Sequence, residues 1–201
     1  MTSYEKQELA WDQRLGIQTI GRDDSKEDAS HYPYEPTPYC VLERLADSGY
    51  LDEQCRVVDY GCGKGRVSFY LHRQLKCQCV GVEFDSQIYE EARKNHREGK
   101  FSTDVSFVCQ DAAQYPVAGA DSFYFFNPFS VEILQAVLGQ ILTDYYQDPR
   151  EMLLLFYYPS DEYVAHLMTM PELGFVDEID CGDLFPGKDG RERILIFEID
   201  A

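Results

Sequence analysis

Basic residues are scarce in this sequence. Lysine and arginine together number 18, against 36 aspartates and glutamates, so the 201-residue chain carries a formal net charge of −18 at pH 7. Proteins that bind nucleic acids or anionic membranes usually rely on clusters of lysine and arginine. The basic residues here are scattered, except for a short group between residues 93 and 97. The composition therefore argues against nucleic acid and against membrane surfaces as partners.

Long apolar runs and paired cysteines are also missing. The sequence has no run of about 18 apolar residues that could span a bilayer, and no secretory segment opens it. The cysteines are odd in number and include no Cys-x-x-Cys pair, which argues against a zinc site and a disulfide framework. We therefore expect a cytoplasmic protein without a metal site. Its cysteines are expected to be small buried apolar residues; they are Cys40, Cys55, Cys62, Cys77, Cys79, Cys109 and Cys181.

A hydrophobic content of 44% and an aromatic content of 14% are enough for a packed core. The length favours one main domain, which we expect over residues 37–201. Residues 1–36 are polar and rich in aromatics, and they are expected to form a helix and an arm that act as a substrate or lid region. The helix is predicted over residues 4–17, with an apolar stripe at Leu9, Trp11 and Leu15.

The second half of this N-terminal region contains few residues that could be buried. Residues 21–30 predict a charged loop, and the prolines that follow predict an extended arm over residues 32–39. Thr37 is expected to cap the next helix, with Pro38 in its first position.

Beyond the arm, apolar runs of strand length alternate with helical patterns. Strand, helix and strand at this spacing predict a parallel sheet with right-handed crossovers. The last two strands are joined by a connection too short for a crossover helix, so they are expected to pair antiparallel. The predicted fold class is α/β, a doubly wound three-layer sandwich. Its strands are predicted at 56–60, 78–83, 105–109, 122–126, 152–158, 175–181 and 193–199, and its helices at 65–75, 86–98, 131–146 and 161–170.

The turn after the first predicted strand is rich in glycine. The sequence Asp-Tyr-Gly-Cys-Gly-Lys-Gly runs from Asp59 to Gly65 and leads into a helix. Glycines let a ligand approach the backbone closely, and a helix N-terminus presents unpaired amides. A dinucleotide-binding turn needs a glycine where Arg66 stands, which disfavours a nicotinamide-dependent oxidoreductase. Asp59 is instead suited to accept hydrogen bonds from an ammonium group.

Carboxylates follow the next two predicted strands. Glu83 comes 22 residues after Gly61, where a carboxylate can accept hydrogen bonds from both hydroxyls of a ribose. Asp85 is more typical of a helix cap. Asp111 follows the third strand, where it could read the amino group of an adenine or could simply end the strand in a turn.

Taken together, these motifs resemble those of the class I S-adenosylmethionine-dependent methyltransferases. The matching residues are the segment from Asp59 to Gly65, then Glu83, Asp111 and the Asn-Pro-Phe of residues 127–129. The resemblance covers residues 37–199 and implies a seven-stranded, mostly parallel sheet with one antiparallel strand. It implies S-adenosylmethionine as the cofactor, with the glycine-rich turn at its methionine part, Glu83 at its ribose and Asp111 at its adenine. The implied cofactor-binding residues are Tyr34, Thr37, Asp59, Tyr60, Gly61, Cys62, Gly63, Gly65, Glu83, Phe84, Asp111, Ala112 and Asn127.

The same resemblance implies that Asn127, Pro128 and Phe129 form the catalytic acceptor site. Members that methylate amino groups carry Asp or Asn, two prolines and an aromatic at this strand end, and the side-chain oxygen and the next carbonyl accept hydrogen bonds from the acceptor nitrogen. This chain lacks the second proline and carries its aromatic one position early, which argues against a flat nucleobase. A simple turn with Phe129 in the core is the alternative.

The arm resembles a segment that folds over the cofactor in lysine methyltransferases of this superfamily. The matching residues are Tyr34-Glu35-Pro36-Thr37. Tyr34, Thr37 and Tyr39 are therefore expected to form part of a lid or an acceptor pocket, unless they merely pack the arm onto the sheet.

We therefore expect methyl transfer to a nitrogen acceptor, a protein lysine or a small amine, because an acidic surface favours a cationic acceptor. A non-catalytic S-adenosylmethionine-binding regulator and a nucleic-acid N-methyltransferase are the alternatives. The first 36 residues, the loop after Asn127 and the connection around residues 184–190 are expected to select the substrate.

Overall fold

A computed structural model describes residues 2–21, 34–117, 119–187 and 189–200. The predicted charged loop and the first part of the predicted arm lie outside the described residues. Helices and strands alternate along most of the chain, as the sequence pattern predicts. The helices are α1 (Ser3–Leu15), α2 (Tyr39–Asp47), α3 (Arg66–Leu75), α4 (Ser86–Glu98), α5 (Val131–Gln147) and α6 (Asp161–Leu167). The strands are β1 (Arg56–Tyr60), β2 (Gln78–Glu83), β3 (Val105–Cys109), β4 (Ser122–Phe125), β5 (Leu153–Tyr157), β6 (Leu173–Asp180) and β7 (Arg193–Ile199).

The strands form one seven-stranded sheet in the order β3-β2-β1-β4-β5-β7-β6. The first five run parallel, and β7 pairs antiparallel with both β5 and β6. The predicted fold class is therefore confirmed. The strand order reverses between β1 and β4, and a crevice for a ligand forms at such a point beyond the carboxyl ends of the strands.

Apolar side chains cover both faces of the sheet. On one face α5 and α6 pack against a stack of Tyr60, Phe125 and Phe156, whose neighbouring ring centroids lie 5.1 and 4.6 Å apart. On the other face α1, α2 and α3 pack together, and Trp11 stacks on Tyr39 at 5.7 Å. Burial on both faces explains the continuous apolar runs of the parallel strands.

Helix α1 corrects one prediction. Its buried face carries Glu8 and Asp12 together with Leu15, whereas Leu9 is 38% exposed. The predicted apolar stripe is therefore right for Leu15 and for Trp11, which is half-buried against Tyr39, and wrong for Leu9. Charged residues share the buried face because Glu8 and Asp12 lie beside Arg66 inside the protein.

The start of α2 corrects a second prediction. The helix begins at Tyr39 with Pro38 as its N-cap, and Thr37 does not cap it. The Thr37 hydroxyl instead lies 3.0 Å from the hydroxyl of Tyr124 on β4, and the amide of Tyr39 donates to the Glu8 carboxylate at 2.9 Å. A side chain of α1 thus satisfies a free amide of α2.

Among the described residues, no helix is both long and apolar enough to cross a bilayer. Within the same residues no group of His, Cys, Asp and Glu side chains is arranged to hold a metal ion.

Candidate functional site

A cleft lies beyond the carboxyl ends of β1, β2 and β4, at the reversal of strand order. The parallel register places Asp59 of β1 beside Gly81 of β2 and Tyr124 of β4, so the ends of the three strands meet there. Most of the predicted site residues line this cleft. They are Tyr34, Thr37, Asp59, Gly61, Cys62, Glu83, Phe84, Asp111, Ala112, Asn127, Pro128 and Phe129.

Three predicted cofactor residues do not line the cleft. Tyr60 turns its side chain to the opposite face of the sheet, where it is buried against Phe125. Gly63 and Gly65 instead shape the turn, and Gly65 is the N-cap of α3. Tyr60, the last residue of β1, thus belongs to the core because its side chain points away from the crevice.

The glycine-rich turn fits tightly between two neighbours. Gly61 and Gly63 have φ values of 71° and 56°, which glycine adopts at low cost. A Cβ atom at Gly61 would collide with Pro128, and one at Gly63 would collide with the ring of Tyr34. Glycine at both positions therefore lets Pro128 and the Tyr34 ring pack directly against the turn.

Carboxylates dominate the polar groups of the cleft. Asp59 is only 3% exposed and accepts one long hydrogen bond, 3.4 Å, from the hydroxyl of Ser68. Burial, and next the negative charge of Glu83, raise the pKa of Asp59 to about 7. The described residues thus leave Asp59 with little compensation for its burial, which a cationic ligand in the cleft would supply.

Glu83 holds the turn as well as facing the cleft. Its carboxylate accepts hydrogen bonds from the amides of Gly63 and Asp85, each at 2.9 Å. Burial raises the pKa of Glu83, and these hydrogen bonds act in the opposite direction.

Asp85 caps helix α4 through one oxygen only. Its Oδ1 accepts from the amides of Gln87 and Ile88, as the sequence predicts for a cap. Its Oδ2 is buried at the cleft without a hydrogen-bond partner among the described groups. Such an atom is suited to a ligand that brings a donor.

Asp111 ends its strand in a turn and also faces the cleft. It caps a short 3-10 turn by accepting from the Ala113 amide at 2.9 Å, and it lines the cleft beside Ala112.

The Asn127 amide connects two strand ends. Its Nδ2 donates to the carbonyl of Tyr158, and its Oδ1 accepts from the amide of Ser160 at 3.1 Å. The residue has a φ of 38°, a left-handed conformation that asparagine tolerates better than most residues. A carbonyl oxygen has two lone pairs, so Oδ1 keeps one for a further donor.

Phe129 lies mainly in the core. It is 3% exposed and packs edge-on against Phe125, and its carbonyl accepts from the hydroxyl of Tyr163 at 2.6 Å. It still contributes to the wall of the cleft.

The arm reaches the cleft through Tyr34. Its ring covers Gly63, and its hydroxyl donates to the carbonyl of Thr19 at 2.6 Å. Burial raises the pKa of the Tyr34 hydroxyl, so it remains a neutral donor. Tyr39, in contrast, is fully buried away from the cleft, with its hydroxyl 2.6 Å from Asp12.

Arg66 has a role that the sequence analysis missed. It is 2% exposed, forms an ion pair with Glu8 and lies 3.8 Å from Asp12. It also donates to the Thr19 hydroxyl at 2.7 Å and to the Thr37 carbonyl at 3.1 Å. The first residue of α3 therefore fastens α1 and the arm to the glycine-rich turn. The signal was the spacing of Glu8 and Asp12, which puts both carboxylates on one helix face.

A second cavity of about 860 Å³ adjoins the cleft. The two share Glu35, Phe126 and Asn127 in their walls. Two of the three segments predicted to select the substrate, the first 36 residues and the connection around residues 184–190, contribute to its wall. The loop after Asn127 instead lines the cleft, through Pro128 and Phe129. Its other lining residues are Thr2, Tyr4, Pro38, Tyr157, Tyr158, Ser160, Leu184, Phe185, Pro186, Arg191 and Glu192.

Comparison with known proteins places the glycine-rich turn in a recognised domain. Residues 57–144 match the sequence family described as a methyltransferase domain. A protein-lysine N-methyltransferase of Saccharolobus islandicus (strain REY15A) is 30% identical over 79 residues, which are 39% of this chain and 49% of the relative. The match therefore spans about half the length of that curated protein.

Solved structures share the fold. A TehB-like SAM-dependent methyltransferase from Corynebacterium glutamicum ATCC 13032 Kitasato aligns over 98% of both chains, with a TM-score of 0.57 and 15% identity. An RNA methyltransferase from Salinibacter ruber, in complex with S-adenosyl-L-homocysteine, aligns over 82% of this chain and 92% of its own, with a TM-score of 0.51 and 19% identity.

Proposed function

We propose that the chain is a class I S-adenosylmethionine-dependent methyltransferase, which binds S-adenosylmethionine in the cleft and methylates a nitrogen acceptor. The observation that carries this proposal is the buried, poorly compensated carboxylate of Asp59 beside the glycine-rich turn. An ammonium group is the ligand that such a carboxylate favours.

The carboxylates of the cleft need hydrogen-bond donors and positive charge, and this cofactor carries both. Asp59, Glu83, Asp85 and Asp111 all line it. S-adenosylmethionine brings hydrogen-bond donors and positive charge through its ammonium, its ribose hydroxyls, its adenine amino group and its sulfonium. A pyrophosphate would instead be repelled by four carboxylates.

Each part of the cofactor has an expected partner in the protein. Asp59 and the turn of residues 61–65 would hold the methionine part. Glu83, with Asp85 Oδ2 close by, would accept from the ribose hydroxyls, and Asp111 with Ala112 would hold the adenine.

When bound, S-adenosylmethionine supplies a methyl group on a positively charged sulfur. A cationic amine first releases a proton to water, because only the neutral nitrogen has a lone pair; this nitrogen then forms the N–C bond as the C–S bond breaks, and the product is a methylammonium. The protein contributes position and exclusion of water. The remaining lone pair of Asn127 Oδ1 would orient the acceptor N–H, and Tyr34 would cover the turn from solvent.

The acceptor class is supported by charge and by one relative. A formal net charge of −18 favours a cationic amine over an RNA. The similar curated protein is named for methylating protein lysines.

Calorimetry tests the cofactor assignment. Purified protein is titrated with S-adenosylmethionine, S-adenosylhomocysteine and NAD, alongside the variants Asp59→Asn and Asp104→Asn, the latter being an exposed carboxylate outside the cleft. We expect saturable binding of both adenosyl ligands, weakened by Asp59→Asn and unchanged by Asp104→Asn. Binding of NAD alone would refute the assignment.

Mass spectrometry tests the reaction. The protein and S-adenosylmethionine are incubated with a lysine peptide, a small amine or an RNA, and each acceptor is examined for added methyl groups. Methylation of the lysine peptide or the amine supports the proposal. Methylation of RNA alone, or cofactor binding without any transfer, would overturn the amine acceptor.

A further inference from the structure

The second cavity is in position to receive the acceptor. It meets the cofactor cleft at Phe126 and Asn127, and Asn127 carries the amide expected to orient a nitrogen. An acceptor that lies in this cavity would therefore reach the cleft at Phe126 and Asn127.

The walls of the cavity are largely aromatic. They include Tyr4, Phe126, Tyr157, Tyr158 and Phe185. Aromatic faces attract cations and also pack well against alkyl chains.

A cation is already bound to one of these faces. The guanidinium of Arg191 lies 4.5 Å from the centroid of the Tyr158 ring and 3.3 Å from the carboxylate of Asp189. Arg191 is the one cationic side chain among the described residues that line the cavity, and Asp189 is the carboxylate with which it pairs.

Glu192 provides negative charge inside the cavity. It is half-buried, and its carboxylate accepts a hydrogen bond from the Tyr157 hydroxyl at 2.7 Å. Burial raises the pKa of Glu192, and the nearby carboxylates of Asp189 and Glu35 act in the same direction. A positive ligand would relieve this repulsion, whereas an anion would increase it.

We propose that this cavity recognises the methyl acceptor as an aliphatic primary ammonium, with the alkyl chain against the tyrosine and phenylalanine rings and the charged end attracted by Glu192, before the nitrogen loses a proton to water and reaches Asn127 at the common wall with the cleft. The inference rests on the proposed function, because it names the acceptor class of the same site. Five aromatic residues with two carboxylates, Glu35 and Glu192, match a long alkyl stem that ends in a positive charge, which is the chemistry of a lysine side chain or of a free alkylamine.

Binding of probes tests this inference without relying on turnover. A short peptide with one lysine, the same peptide with norleucine and free n-butylamine are titrated into the protein with S-adenosylhomocysteine present, and NMR shifts are followed. We expect the lysine peptide to bind at least about tenfold more tightly than the norleucine peptide, which has the same four-carbon chain but lacks the ammonium group. Tighter binding of the peptide than of butylamine identifies a polypeptide source, and equal binding identifies a free amine.

A matched pair of variants assigns the preference to the cavity. Glu192→Gln removes the charge but keeps an oxygen that can accept from Tyr157. Glu198→Gln makes the same change at the other end of β7, on an exposed residue. We expect the preference for lysine over norleucine to fall about tenfold in the first variant and to persist in the second.

Two results would overturn the inference: equal binding of both peptides by the wild-type protein, or an unchanged preference in Glu192→Gln. Thermal unfolding of each variant checks that it is folded. Adenosyl ligand binding is measured on the same samples, so a failed cofactor assignment is seen separately from a failed ammonium site.

Discussion

Asp59 is a carboxylate that the fold keeps out of water next to Glu83. Its pKa is raised from 3.8 to about 7. Between these values the folded protein binds a proton that the unfolded chain has released, so the contribution of Asp59 to stability is lost as the pH rises from about 4 to about 7. Above pH 7 the folded protein carries a buried charge that only a ligand neutralises.

Asp59→Asn is therefore expected to stabilise the ligand-free protein at pH 8 by about 2–4 kcal/mol and to have little effect at pH 4. The same change should weaken S-adenosylmethionine binding about tenfold or more, because the charge that pairs with its ammonium is gone. Thermal and urea unfolding across this pH range, together with calorimetry, measure both effects. Equal stability of variant and wild type at pH 8 would contradict the raised pKa.

Glu83→Ala is expected to weaken the cofactor by a different route. It removes the expected ribose acceptor and also releases the amides of Gly63 and Asp85 that the carboxylate now holds. Loss of adenosyl affinity of about tenfold or more is expected by calorimetry, with Glu90→Ala on the exposed side of α4 as the control. Unchanged affinity would remove Glu83 from the binding site.

The Asn127 amide holds two backbone groups and is also proposed to orient the acceptor. Asn127→Ala removes its hydrogen bonds to Tyr158 and Ser160, and we expect a loss of stability of about 1–2 kcal/mol. Turnover should fall about 100-fold because the acceptor is no longer oriented, while the Kd for S-adenosylhomocysteine changes little. Asn127→Gly removes the same amide but tolerates the positive φ, so it separates backbone strain from the loss of the amide. Wild-type turnover in the glycine variant would exclude Asn127 from the reaction.

At the scale of elements, the ion pair between Glu8 and Arg66 joins α1 to α3 inside the protein. Glu8→Gln keeps an acceptor for the Tyr39 amide but leaves the Arg66 charge with Asp12 alone, 3.8 Å away. Removing one partner of a buried pair is strongly destabilising, so we expect a loss of about 3 kcal/mol in urea unfolding. Glu98→Gln, at an exposed pair 3.9 Å from Lys94, is the control and should cost under about 0.5 kcal/mol. Similar small losses in both variants would show that α1 is not held by this pair.

The ion pair between Glu8 and Arg66 also marks the limit of what the sequence could predict. Strands and most helices follow from local periodicity and turn residues, and β1, β2, β3, α4 and β7 have the predicted bounds. The buried face of α1 does not follow from such local patterns, because its carboxylates are buried by an arginine more than 50 residues away in the sequence. Thr37 likewise leaves its expected cap for Tyr124, a partner that only tertiary structure brings near.

At the scale of the whole molecule, the sequence indicated the site as a set of strand ends. Parallel strands bring Asp59, Glu83 and Asp111 to one edge of the sheet, so local motifs were sufficient to predict the cleft. The second cavity is built from segments distant in sequence, and motifs predicted its segments but not their common wall with the cleft. The partners of Asn127 come from the connection after β5, which no local pattern indicates.

A final prediction about acceptor binding follows from the formal net charge of −18. A strongly negative molecule attracts a lysine-rich peptide through its overall field, and salt screens that field over a distance that falls from about 20 Å at about 20 mM to about 6 Å at about 300 mM. The KM for such a peptide should therefore rise about tenfold over this range. A peptide with one lysine balanced by one glutamate has no net charge and should show only the local interaction at Glu192, with a change of about twofold. Equal salt dependence of the two peptides would mean that the global charge does not guide the acceptor, and that recognition lies within the cavity alone.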